Sequence, residues 1–102
     1  MNKEEVAMVG FEVVAYAGEA RSKLMEALSH AEKGEFDAAD KLVAEANSSL
    51  LEAHKSQTQM LAAEARGENI EVGFIMVHAQ DHLMTTMLLK DTIKHLFNIY
   101  KK

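Results

Sequence analysis

The stretches Glu32-Lys33-Gly34-Glu35 and Ala65-Arg66-Gly67-Glu68-Asn69 divide this chain into three long segments. In each stretch a glycine follows a basic residue. This is a common way for a helix to end, because glycine adopts the left-handed conformation and positive charge suits the helix C-terminus. No other part of the chain has the composition of a loop. We therefore predict three helices, at about residues 3–33, 36–66 and 70–100, within one domain that spans residues 1–102.

Composition and periodicity favour an all-α fold. The 102 residues include no proline and only five glycines, and the good helix formers alanine, leucine, glutamate, lysine and methionine predominate. Asn2 and Glu5 have the spacing of a capping box at the start of the first helix. In the first two segments apolar residues recur every three or four positions, so each helix has one apolar face. Short turns place successive helices antiparallel, which predicts an up-down-up bundle of three helices.

Charge and residue content disfavour several classes of protein. The formal charge is -5, with 16 acidic against 11 basic residues, which argues against a nucleic-acid partner. The chain has no cysteine, so it has no disulfide, zinc-thiolate site or cysteine nucleophile. It also has no glycine-rich loop of the kind that binds ATP phosphates. No apolar run approaches the roughly 20 residues that span a bilayer, and we expect a cytoplasmic protein that does not insert into the membrane.

The third predicted helix carries apolar residues on two opposite faces. A helix of a small bundle needs one apolar face, so the second face requires a further partner. We expect an oligomer with this helix near its centre; the alternative is a compact monomer that surrounds the helix more fully. The first face, which also contains Asp81, consists of Phe74, Val77, Met84, Leu88 and Ile99, and the opposite face of Met76, Leu83, Met87 and Phe97.

Polar side chains interrupt this helix in the segment Val77-His78-Ala79-Gln80-Asp81-His82-Leu83-Met84. Asp81 is in line with the first apolar face, where an isolated buried carboxylate would be costly. If the helix lies along a symmetry axis, copies of Asp81 converge and need a proton or a hard cation between them. The alternative is that Asp81 reaches the edge of this face and remains in water.

His78 and His82 lie one helical turn apart, and both are close to Asp81 along the chain. This spacing fits ligation of a divalent metal on a helix. A histidine at position 78 is equally compatible with a general base, a nucleophile or an ordinary hydrogen-bonded residue. The residues alone therefore leave the role of His78 open.

The stretch Gly73-Phe74-Ile75-Met76-Val77-His78-Ala79-Gln80-Asp81-His82-Leu83-Met84-Thr85 closely resembles the signature of the lactose/cellobiose-type enzyme IIA subunits of the bacterial phosphoenolpyruvate-dependent sugar phosphotransferase system. The resemblance extends over the whole chain. It includes the length, the early Gly10, the helices rich in alanine and glutamate, and the basic residues that end the third helix.

This resemblance implies a homotrimer in which three protomers form one nine-helix bundle. It implies that His78 accepts phosphate from the phosphocarrier protein HPr as a covalent phosphohistidine and passes it to the cognate enzyme IIB. It also places Asp81 at a metal site on the three-fold axis, where three copies would bind Mg²⁺. Gln80 and His82 are expected to orient the ring of His78 or its phosphoryl group. The alternatives are that Gln80 is a solvated residue and that His82 serves only packing at the interface.

Two other functions fit the same residues. One is a metal-binding helical bundle that uses His78, Asp81 and His82 and transfers no phosphate. The other is a structural oligomerisation module in which these residues matter for packing only. Lactose, cellobiose and diacetylchitobiose relatives share the signature, so the sequence does not identify the sugar, although general similarity leans towards a β-glucoside such as cellobiose.

Overall fold

The computed structural model describes residues 1–102 and consists of three helices with no strand. Helix α1 spans Lys3–Glu32, α2 spans Phe36–Ala65 and α3 spans Phe74–Tyr100. The predicted three-helix, all-α fold is confirmed, and the bounds of α1 and α2 lie within one residue of the expected ones. None of the helices combines the length and apolar content needed to cross a membrane. The cytoplasmic location stays a prediction.

The helix ends of α1 and α2 follow the expected local signals. The side chain of Asn2 accepts a hydrogen bond from the Glu5 amide at 2.8 Å, and Glu5 Oε1 accepts one from the Asn2 amide at 3.0 Å. This capping box supplies partners for amides that a helix start leaves free. Gly34 and Gly67 have φ angles of 76° and 90°, a conformation that other residues rarely adopt. Both predicted glycine breaks are confirmed.

The predicted start of the third helix is wrong by four residues, since α3 begins at Phe74 and not at residue 70. Residues 69–71 instead run beside the beginning of the chain. The N-terminal ammonium donates to the Asn69 carbonyl at 2.8 Å, and the Glu71 amide donates to the Met1 carbonyl at 3.2 Å. The Lys3 amide donates to Glu71 Oε2 at 3.0 Å. This segment therefore obtains its hydrogen bonds from a distant part of the chain, which local sequence does not reveal.

Helix α1 is the centre of the protomer, because it packs along both other helices whereas α2 and α3 touch only briefly. Its buried face is composed mostly of small side chains, which let helix axes approach closely. At Gly10, an added Cβ would lie 3.2 Å from Ile75 Cγ2 and 3.4 Å from Met76 Cα. The buried residues of α1 are Val6, Gly10, Val13, Ala17, Ala20, Leu24, Ala27 and Ala31.

Helix α3 has the two faces that its sequence predicts. Met76, Leu83 and Phe97 are buried against the rest of the protomer, and Met87 is half-buried. On the opposite side an exposed stripe, hereafter the α3 stripe, runs along the helix. An exposed apolar stripe of this length is unusual on a monomeric protein. It comprises Phe74, Val77, Asp81, Met84, Leu88 and Ile99, with exposed fractions of 87% for Phe74 and 67% for Leu88.

The end of the bundle opposite the start of α3 is closed by aromatic contacts. The rings of Phe36 and Phe97 pack edge to face with centroids 6.4 Å apart. Lys101 Nζ lies 5.1 Å from the centroid of the Phe36 ring, within range of a cation–π attraction. The Tyr100 hydroxyl donates to Glu32 Oε1 at 3.4 Å. These contacts join the end of α3 to the turn between α1 and α2.

Two glycines of α1 provide a matched test of its packing. Gly18→Ala is expected to raise the free energy of unfolding by about 1 kcal/mol, because glycine is a poor helix former and an added Cβ would meet no neighbouring element within 4 Å. Gly10→Ala is expected to gain much less, because its Cβ would press on α3. Urea unfolding at equal chain concentration measures both. Equal gains at the two positions would contradict the close approach at Gly10.

Candidate functional site

The four residues singled out from the sequence lie within the second and third turns of α3. The helix begins after Gly73, whose carbonyl accepts a hydrogen bond from the Val77 amide at 3.2 Å. Because successive helical residues are about 100° apart, His78 and His82 share one flank of α3, and Gln80 lies on the other. Asp81 lies between these flanks, within the α3 stripe.

His78 and His82 form a pair of neighbouring imidazoles. Their ring centroids are 5.5 Å apart and the rings are inclined at 77°. The side chain of His78 is exposed and has no hydrogen-bond partner within the chain. His82 is half-buried, and its Nδ1 atom is buried without a partner. An exposed imidazole without a partner is available both as a nucleophile and as a ligand.

Gln80 contacts α2 and not the imidazole of its own chain. Its Oε1 accepts a hydrogen bond from Gln57 Nε2, and its Nε2 lies 3.4 Å from Met76 Sδ. Gln57 Nε2 also reaches Met84 Sδ at 3.8 Å. No motif in the sequence pointed to this link between Gln57 and Gln80. The expected role of Gln80 beside His78 stays a prediction, and a single chain does not bring the two side chains together.

Asp81 is exposed within the α3 stripe, and its carboxylate has no ion pair or hydrogen bond within the chain. Its backbone carbonyl accepts a hydrogen bond from the Thr85 hydroxyl at 2.7 Å. No group of three or more potential metal ligands occurs in one chain. The metal-binding bundle that uses His78, Asp81 and His82 predicts a buried His78, whereas this side chain is exposed in the single chain.

A groove between α1 and α3 continues from the flank that carries the two histidines. Its volume is about 320 Å³. Arg21 has no ion pair within the chain, and the Thr86 hydroxyl is buried without a partner. No sequence motif pointed to these two residues, because they meet only through the parallel packing of α1 on α3. The groove is lined by Arg21, Met25, Thr85, Thr86 and Leu89.

The sequence is similar to a known protein family over nearly its whole length. The profile of the family described as "PTS system, Lactose/Cellobiose specific IIA subunit" matches residues 8–101. The chain is 60% identical over 102 residues to the "PTS system lactose-specific EIIA component" of Staphylococcus epidermidis, and covers 98% of it. It is 61% identical over 102 residues to the component of the same name from Lactococcus lactis subsp. lactis, and covers 97% of that protein. Each match includes all of this chain.

Solved structures agree with this assignment. The crystal structure of PtcA from S. mutans matches with a TM-score of 0.96 and 42% identity over the full length of both chains. The cellobiose-specific enzyme IIA from Bacillus anthracis matches at 0.90 and 36% identity, over 99% of this chain and 91% of that one. The IIA(Chitobiose) subunit of Escherichia coli, solved in complex with HPr, matches at 0.76 and 35% identity, over 99% of this chain and 95% of that one. On this evidence the chain belongs to the lactose/cellobiose-specific IIA subunits of the phosphotransferase system.

Proposed function

We propose that this protein carries a phosphoryl group on His78, which it accepts from HPr and passes to a cognate enzyme IIB during uptake of a disaccharide. The observation that carries the proposal is the exposed imidazole of His78, which has no partner within its own chain. A phosphocarrier needs such a group, because two different proteins must reach the same atom in turn. Full-length similarity to IIA subunits supports the same conclusion.

For this transfer the protein mainly has to hold the His78 ring in the right position relative to the phosphoryl group. A ring nitrogen of His78 attacks the phosphorus, so that a P–N bond forms while the bond from phosphorus to the donor breaks. The reverse exchange with the acceptor restores the free imidazole. Such transfers need an in-line approach and donors for the equatorial oxygens of the phosphoryl group. His82 is the nearest candidate donor, since its ring centroid lies 5.5 Å from that of His78.

HPr is the partner with direct support among the relatives, because the IIA(Chitobiose) subunit was solved in complex with HPr. By this likeness we assign HPr as the donor here. Enzyme IIB is proposed as the acceptor because a carrier must discharge its phosphoryl group to complete the relay. Both partners would dock on the flank of α3 that exposes His78.

A homotrimer is the assembly that we propose for this chain. The α3 stripe is apolar except for Asp81, and three copies of α3 around a common axis would cover it within a nine-helix bundle. Three Asp81 carboxylates would then converge. A hard cation takes oxygen ligands of this kind and cancels their repulsion, and we propose Mg²⁺. The absence of a competing ion pair at Asp81 supports this assignment.

Lactose is the sugar that the similar proteins favour. The curated relatives named lactose-specific are 55–61% identical to this chain, whereas the cellobiose-specific structure is 36% identical. This replaces the weaker lean towards a β-glucoside given by general similarity. The sugar itself would be recognised by the membrane component of the system, so this subunit needs no sugar-binding residue.

Phosphorylation of the purified protein by enzyme I, HPr and phosphoenolpyruvate tests the carrier role. We expect one acid-labile, base-stable phosphate on the wild type and none on His78→Ala. The matched control is His95→Ala, which removes another exposed histidine of α3 and should leave phosphorylation unchanged. No phosphate on the wild type, with the same HPr active on another IIA protein, would remove the proposal and favour the metal-binding bundle.

Thermal unfolding with and without Mg²⁺ tests the role of Asp81. Mg²⁺ is expected to raise the melting temperature of the wild type, because a ligand that binds only the folded assembly stabilises it. Asp81→Leu should melt higher than the wild type in chelator, because converging buried charges are removed, and should not respond to Mg²⁺. Asp91→Leu, which changes another exposed carboxylate of α3, is the control and should keep the response. A wild type that is indifferent to Mg²⁺ would contradict the metal site.

A further inference from the structure

An apolar pocket, hereafter the α2–α3 pocket, opens on the flank of α3 that carries Gln80. Its volume is about 350 Å³, whereas an apolar cavity of about 150 Å³ is enough to hold a benzene ring. Two of its lining residues, Leu61 and Val72, are exposed by 62% and 57%, so the protomer itself leaves the pocket uncovered. The apolar lining consists of Met60, Leu61, Ile70, Val72, Met76 and Val77.

Phe74 is the most exposed large apolar side chain of the protomer, with an exposed fraction of 87%. It is the first residue of α3 and lies one turn before His78, so both side chains lie at the same edge of the α3 stripe. Val77 and Gln80 lie towards the other edge, where they line the α2–α3 pocket. One protomer thus carries an exposed aromatic ring at one edge of the stripe and an uncovered apolar pocket at the other.

Three-fold symmetry brings the ring and the pocket together. Around an axis that faces the α3 stripe, the edge of one α3 that carries His78 meets the edge of the next α3 that carries Gln80, because a cyclic interface joins two different surfaces. The copies lie at the same height along the axis, and the side chains of a helix lean towards its N-terminus. Phe74 of one copy therefore lies level with Val72 and Val77 in the pocket of the next copy.

The start of α3 adds a complementary charge to this contact. Its first turn contains no acidic residue, and its N-cap, Gly73, supplies no side-chain hydrogen bond, so the first amides of α3 keep their partial positive charge. The polar lining of the α2–α3 pocket includes the exposed carboxylate of Glu64 near the end of α2. A docked Phe74 would bring the positive end of its helix towards this carboxylate. Shape and charge therefore both favour a second copy of this chain as the occupant.

We propose that Phe74 of one protomer docks into the α2–α3 pocket of the next protomer, and that this contact sets how neighbouring protomers are rotated against each other. The contact deepens the proposed homotrimer and rests on it. A closed ring of three copies contains three such contacts, each with a buried aromatic side chain of the kind that dominates interface energies. Because Phe74 lies one turn from His78, the same contact fixes how the His78 side chain faces the neighbouring protomer.

Cross-linking tests the contact on the full-length chain, which contains no cysteine. Phe74→Cys and Leu61→Cys are refolded together, at a concentration where light scattering shows assembly, and treated with a short bismaleimide. We expect peptide mass spectrometry to find position 74 of one chain joined to position 61 of another. The control is Ile99→Cys mixed with Leu61→Cys. Ile99 belongs to the same stripe and is 64% exposed, but it lies at the far end of α3 and should give no such product.

Sedimentation of the unmodified assembly supplies the second measurement. Because Phe74 is exposed in the protomer, Phe74→Ala should keep the helical content of the wild type. Its assembly should require a chain concentration at least about tenfold higher, as for the loss of a buried aromatic anchor. Met8→Ala, which removes a 69% exposed side chain of α1 outside the α3 stripe, should assemble like the wild type.

The outcomes separate this contact from the function on which it rests. A trimer in which positions 74 and 61 are not joined, or one that Phe74→Ala leaves equally stable, overturns the docking of Phe74 and keeps the trimer. A wild type that stays monomeric at every concentration rejects the contact and the trimer together. Phosphorylation of His78 decides the carrier role independently of either result.

Discussion

The architecture depends on a mismatch between α3 and the rest of its own chain. The helix is apolar on two opposite faces, but α1 and α2 cover only one of them. A thin three-helix protomer has no further element with which to cover the second face. That face must therefore meet another molecule or remain an unusually large apolar surface in water. Because only one face of α3 is covered, His78, Gln80 and His82 lie on the flanks between its covered and uncovered faces.

Helix α1 can pack against both other helices because the side chains on its buried face are small. Its buried face of alanine, glycine and valine brings α2 and α3 close to one axis without bulky side chains between them. The close approach at Gly10 also fixes how α3 is rotated, because Met76 must face α1 there. Rotation of α3 decides which flank carries His78 and which carries Gln80. A packing contact one turn before the site thus orients the site.

Much of the fold could be predicted from the sequence, because the features that decide it depend on residues close together along the chain. The capping box at Asn2, the left-handed glycines 34 and 67, and the two-faced pattern of α3 depend on neighbouring residues, and all three were predicted. The start of α3 was not, because residues 69–71 bond to the beginning of the chain. Within the site, the pairing of His78 with His82 follows from helical spacing. The hydrogen bond from Gln57 to Gln80 and the burial of Thr86 between α1 and α3 depend on how the helices pack. No motif in the sequence encodes them.

His78 lies near one end of the molecule, so the two ends differ in whether a protein docked at this histidine can reach them. His78 and Tyr100 are 22 residues apart along α3, or about 33 Å at 1.5 Å per residue. The far end, where Phe36, Phe97 and Lys101 close the bundle, is too distant to touch a protein docked at the histidine. Substitution there is limited by packing alone and leaves encounter with partners unaffected. A fluorophore or surface anchor can consequently be attached at that end, while the opposite end remains accessible to proteins that dock at His78.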